Sequence, residues 1–144
     1  MEEATLAESI VEQIADAVIY ADDTGTIRRW NHAAAALFGY STAEALGQNL
    51  DLIIPEHLRA THWRGFEAAM TNGVMKLQGR PTVTRATHRT GRKLYVEMTF
   101  ALVKGQARDT ARGAVAVARD VTERIEQQRA DARRDNREHT QWTP

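Results

Sequence analysis

Apolar residues recur along the chain with two different periods, and the switches between them mark the elements. In "TLAESIVEQIADA" the residues Leu6, Ile10, Ile14 and Ala17 fall on one helical face while Glu8 and Glu12 fall off it, which predicts an amphipathic helix. The run "AVIYADDTGTIRRWN" then splits into two short strands around Asp23, Thr24 and Gly25, the glycine being free to take the positive φ of a hairpin turn. After Asn31 the pattern returns to helix. In "HAAAALFGYSTAEALG" the alanine run is stopped by Gly39, and Ser41 with Glu44 three residues later has the spacing of a capping box. Pro55 suits the first turn of another helix, which runs through His62 to about Met70 and ends near Asn72 and Gly73.

A period of two takes over in "KLYVEMTFAL", where Leu94, Val96, Met98, Phe100 and Leu102 alternate with Tyr95, Glu97, Thr99 and Ala101, as in a sheet buried on one face. "HRTGRK" before it reads as a hairpin turn, and "GAVAVARDV" as a last, more completely buried strand. From Thr122 the chain becomes a polar helix interrupted only by Ile125, so any coiled coil would rest on the weak seam Val121, Ile125, Gln128 and Ala132. Strands, a block of short helices and strands again imply an α+β domain: an antiparallel sheet with the helices packed on one face and a pocket between them. Residues 1–17 are then an N-terminal flanking helix, 18–122 the core, and 123–144 a polar linker helix and tail.

One feature of the helical block is out of keeping with a plain core. Counting turns from His62 gives Leu58, Gly65, Phe66 and Ala69, a stripe with no other charged member, so the imidazole is expected to face inward. It is either a core histidine held by hydrogen bonds or one placed to meet a ligand. Composition narrows the ligand. The 144 residues contain no cysteine, which removes disulfides, thiolate metal sites, cysteine nucleophiles and a flavin to cysteine adduct. Nineteen basic against nineteen acidic residues give no general attraction to nucleic acid or anionic lipid. No apolar run would span a bilayer and the acidic start lacks a signal-peptide pattern, so the expectation is a cytoplasmic location away from membranes. Ser9 and Ser41 sit where helix caps are expected, and no glycine-rich loop follows a strand, so no enzymatic activity is expected.

The order of these elements, with "WN" opening the helical block, "LFGYSTAEALGQNL" within it, "HRTGRK" at the hairpin and "RDVTER" at the end, resembles the PAS sensor domains from about Ile10 to Glu126. The resemblance implies a five-stranded antiparallel sheet and terminal helices that pass a signal to an effector outside this chain. Pro55, Arg59 and His62, in the pattern P-x-x-x-R-x-x-H, are similar to the haem-PAS branch of bacterial oxygen sensors, both histidine kinases and cyclic-dinucleotide phosphodiesterases. Carried over, His62 would bind the iron of haem b, with Leu58, Gly65 and Phe66 on its helix and Met98, Phe100 and Ala116 on the sheet lining the pocket. The sensed species would be a diatomic gas (oxygen, carbon monoxide or nitric oxide) or a redox state. On the distal side either Arg80 or Thr82 would face the gas, since two residues so spaced share a strand face. Where the kinase type holds a propionate with arginine, Ala68 stands here. The alternatives are a cofactor-free PAS module for dimerisation or relay, with His62 and Met98 as core, and a binder of flavin or a small metabolite. The apolar stripe of the first helix predicts a homodimer formed through it.

Overall fold

The computed structural model describes residues 5–75, 79–105 and 111–141. Along the chain lie α1 (Leu6–Gln13), β1 (Ala17–Asp22), β2 (Ile27–Trp30), α2 (His32–Phe38), α3 (Thr42–Ala45), two 3-10 turns (Leu50–Leu52 and Glu56–Leu58), α4 (Arg59–Asn72), β3 (Thr82–Thr87), β4 (Lys93–Lys104), β5 (Ala111–Asp120) and α5 (Thr122–Gln141). The strands form one antiparallel sheet in the order β2-β1-β5-β4-β3. The chain's first and last strands therefore meet in the middle, and β2 and β3 are the edges. This is the expected α+β architecture, with the helical block between the two halves of the sheet.

Register fixes which side chains share a face, because directly opposed residues project to the same side. Thr82 opposes Met98, Met98 opposes Ala118, Phe100 opposes Ala116, and Ala116 opposes Ile19. These belong to the inner face, where Leu94, Val96, Ile27 and Phe38 are fully buried and Trp30 stacks on Phe38 at 5.4 Å. The opposite face carries Tyr95, Thr99, Val115 and Val117, all only half-buried. The last strand thus departs from expectation. Ala114 to Val117 are half-buried rather than enclosed: Val115 and Val117 lie on the face the helices leave to solvent, and the inner-face Ala114 and Ala116 are only partly covered.

Local chemistry explains the boundaries. Ser41 and Glu44 form the capping box reciprocally, Glu44 N–H donating to the Ser41 hydroxyl and Ser41 N–H to the Glu44 carboxylate. Gly39 ends α2 at φ 85°, a left-handed conformation that glycine takes without penalty, and its missing side chain leaves room for the His88 ring. His88 is accordingly half-buried rather than solvated. Ser9 lies inside α1, and Thr5 is the cap, accepting from Glu8 N–H at 3.1 Å. The first helix stops at Gln13 rather than reaching Ala17, because Ala17 is drawn into the sheet opposite Ala118.

Asn31 joins these pieces. Only 1% exposed, it accepts through Oδ1 from Val18 N–H at 2.8 Å and from Ala34 N–H at 2.9 Å, and donates through Nδ2 to the carbonyls of Val11 at 2.8 Å and Asp16 at 3.0 Å. One side chain caps α2, starts β1 and ties down the segment leading out of α1. At the other end the Thr122 hydroxyl accepts from Tyr95 N–H and the Thr122 N–H donates to the Asp120 carboxylate, which fixes where α5 leaves the sheet. Replacing Asn31 by alanine removes a cap and strands buried backbone groups, so urea denaturation should show stability reduced by about 2–4 kcal/mol. A loss below about 0.5 kcal/mol, within the scatter of ordinary surface changes, would contradict this role.

Candidate functional site

The histidine singled out by its pattern lies in the second turn of α4, and the sequence anchors that helix at its start. Leu58, at the cap, provides no side-chain hydrogen bond to the helix. Arg59 compensates by donating from Nε to the Ile54 carbonyl at 3.0 Å and from Nη2 to the Asp51 carbonyl at 3.2 Å. Trp63 donates from Nε1 to the Asp51 carboxylate at 2.8 Å, so the 3-10 turn at Leu50–Leu52 and the first turns of α4 hold one another. The indole also reaches the β1–β2 hairpin. A Cβ at Gly25 would stand 2.2 Å from the Trp63 ring, and Gly25 has φ 81°, so only glycine suits that position.

His62 packs within this frame, edge-on to Trp63 at 4.8 Å and stacked with Phe66 at 6.0 Å. Its Nδ1 is buried and has no hydrogen-bond partner among the described residues. Burial pushes the imidazole pKa below its ordinary value of 6.5, and the nearby Asp51 carboxylate only partly opposes this. The ring is therefore held neutral, the form in which imidazole has a free lone pair for a metal or a donor. The expectation of a hydrogen-bonded core histidine is not met on this nitrogen.

The other residues named from sequence divide into those on the covered side of α4 or the inner face of the sheet and those on neither. Phe66 is buried on α4, which packs against β5. Thr82, Met98, Phe100 and Ala116 share the inner face of the sheet, Met98 being 8% exposed and part of the core. Leu58 is half-buried at the entrance to α4. Gly65 does not belong to the inward stripe: it is exposed, with open space where its Cβ would be. The stripe on α4 narrows to Phe66 and Ala69, because a helix lying across a sheet buries only its line of closest approach. Arg80 is exposed and precedes β3, which begins at Thr82. Pro81 has no N–H for the ladder, so the strand starts after it and the shared face expected for Arg80 and Thr82 does not form. Leu77 and Gln78 of the same stretch lie outside the described residues. Trp63, expected at the helix edge, is instead one of the ties holding α4.

Asp51, Trp63 and Gly25 were not singled out as a group from the sequence, and their separation along the chain hid their contact. Asp22 ends β1 at the hairpin. It organises the hairpin turn, accepting from Thr24 and Thr26 N–H, the Thr24 hydroxyl and Arg28 Nε, and the Thr24 hydroxyl bond leads in holding its pKa far below the usual carboxylate range. Among the described residues no cluster of three or more His, Asp or Glu side chains gathers to hold a metal, and no helix is long and apolar enough to cross a membrane.

The PAS fold family matches residues 5–121, and the chain belongs to it. PAS domains are sensory modules of signal-transduction proteins. Among similar proteins, the sensor protein FixL of Bradyrhizobium diazoefficiens is 43% identical over 58 residues, covering 40% of this chain and 12% of that protein. The cell-division control histidine kinase PdhS of Brucella ovis is 30% identical over 132 residues, covering 89% of this chain and 12% of the kinase. This chain thus spans a small fraction of the curated relatives it matches. Among solved structures, a PAS domain from Colwellia psychrerythraea superposes with a TM-score of 0.70 at 22% identity, over 81% of this chain and 95% of that one. An RNA-binding light-oxygen-voltage receptor gives 0.69 at 23% identity, over 96% of this chain and 39% of that one.

The lowered pKa of His62 has a consequence for stability. The unfolded chain takes up a proton near pH 6.5 while the fold resists it, so the contribution of neutral His62 is complete above that pH and is lost as pH falls towards the folded value. Between about pH 7 and about pH 5 the melting temperature of the native protein should fall more steeply than that of His62→Gln, which has nothing to protonate. Parallel curves would show that His62 titrates as it does in water.

Proposed function

We propose that this PAS domain is a sensor that binds haem b through His62 and reports a diatomic gas or redox state through α1 and α5. The observation that carries the reading is the buried Nδ1 of His62, a neutral imidazole nitrogen without a partner on the helix that covers the sheet. The FixL similarity supports it, as does the P-x-x-x-R-x-x-H pattern. The donor suits iron, and the sheet side offers Met98, Phe100 and Ala116 as an apolar wall with Thr82 at its edge. Bound there, haem would supply an iron centre whose open side takes the gas. His62 would hold it, Phe66 and Phe100 would exclude water from it, and Arg59 is already committed to Asp51 and Ile54 rather than to a propionate.

A second reading has its own observation. Ile53, Met98, Leu94 and Val96 pack in one cluster with Trp30 and Phe38, as a cofactor-free relay module would require. Absorption spectroscopy separates the two. Under the first reading, protein purified from haem-supplied cells shows a Soret band that shifts on reduction and with carbon monoxide, and His62→Ala loses it. Absence of haem uptake by the native protein, or undiminished uptake by the variant, would leave the relay reading standing.

The assembly we propose is a homodimer through α1, linked to an effector elsewhere. Leu6, Ile10 and Ile14 are 77%, 50% and 39% exposed, an apolar stripe that its own domain leaves uncovered. Light scattering should find a dimer at tens of micromolar, and Leu6→Glu with Ile10→Glu should give folded monomers. A native monomer, or a dimer indifferent to both changes, would overturn this assembly.

A further inference from the structure

A second recess lies away from His62, on the outer side of the sheet. Residues Val83, Arg85 and Tyr95 of β3 and β4 form one wall of a groove of about 410 Å³, and Ile125, Gln128 and Arg129 of α5 form the other. Its size falls in the lower part of the range for small-molecule sites, and it is too small to take a helix, which with side chains is about 10–12 Å across.

Its charge is unbalanced. The guanidiniums of Arg85 and Arg129 both stand over the ring of Tyr95, 5.9 and 5.0 Å from its centre. Neither has a carboxylate partner among the described residues. Elsewhere along the same seam the helix does find one, since Arg124 pairs with Glu97 at 3.5 Å. The Arg85 Nε is buried and has no hydrogen-bond acceptor among the described residues. Two like charges gathered at one aromatic ring repel, and a buried N–H without an acceptor costs free energy. A single anion answers both, because guanidinium donors match the two oxygens of a carboxylate. The remaining walls are Tyr95, Val83, Ile125 and Ala132, with the uncharged polar side chains of Thr84 and Gln128.

We propose that this groove binds a small organic acid, with its carboxylate between Arg85 and Arg129 and its apolar body against Tyr95 and Ile125. The occupant would touch β3 and β4 on one side and α5 on the other, so it would hold the exit helix to the sheet. The site is independent of whether His62 takes haem.

The test uses benzoate as the probe, benzamide as its neutral counterpart of the same shape, and calorimetric titration into the full chain at constant ionic strength. Saturable one-to-one binding of benzoate is expected. Benzamide should bind at least about tenfold more weakly, as should benzoate to Arg129→Gln or Arg85→Gln, the scale of losing one charged hydrogen-bond partner. Arg129 is exposed, so its variant keeps the test valid should Arg85→Gln fold poorly. Arg64→Gln, an exposed change on α4, should bind benzoate like the native protein. Equal binding of benzamide, unchanged binding by both groove variants, or no binding at several millimolar benzoate would overturn the proposal. So would Arg129→Gln turning a native dimer into a monomer while benzoate has no effect, since the groove would then belong to a second copy.

Discussion

The fold depends on satisfying the backbone where α1, β1 and α2 converge, and Asn31 is the group that does it. A strand start, a helix start and the end of a linker all leave peptide groups without regular partners. Bringing three such ends together inside the domain would be prohibitive unless a buried side chain offered both donors and acceptors. An amide does so, whereas a carboxylate would lack the donors and a hydroxyl the reach. Once this junction is closed, β1 is held beside β5, the sheet's centre is defined, and α2 is laid across it with Phe38 and Trp30 beneath. The position of α4 follows, because the strands of the other half have only one uncovered inner stretch left to offer it.

A parallel arrangement holds α4 itself. Its cap position contributes no side-chain bond, so Arg59 and Trp63 reach back to the Asp51 turn, and Trp63 reaches on to the hairpin at Gly25. His62 sits between these two anchors. A ring in that place is kept in position by its neighbours while its buried Nδ1 bonds to none of the described residues.

What could be read from the sequence was whatever is local. Alternation in "KLYVEMTFAL", the alanine run ended by Gly39, and the Ser41–Glu44 box each depend on residues a few positions apart, and each reappears in the structure. The sum of such elements was enough for the architecture. Contacts between distant segments were not legible: Asn31 looks like any helix cap until its Nδ2 is seen on Val11, and Gly25 like any turn until Trp63 is found over it. Periodicity also overreached in places. It carried α1 through to Ala17, which strand pairing claimed, and it put Gly65 on a buried stripe that the geometry of a helix crossing a sheet does not extend to include. For the candidate site, the inward side of α4 could be inferred at His62 and Phe66. The starting point of β3 could not, because the effect of Pro81 on Arg80 is a matter of the ladder and not of the pattern.

The ends of the domain lie closer together than their places in the chain suggest. Ala17 and Ala118 are opposed in the sheet, and beside them the Arg119 guanidinium meets the Asp16 carboxylate at 3.0 Å. The roots of α1 and α5 thus lie side by side, bridged at the surface by an ion pair rather than separated by the width of the domain. An exposed pair of this kind is weak and exchanges readily with water. The firmer connection is the strand pairing itself, so a tilt of β1 against β5 would displace the roots of both arms at once.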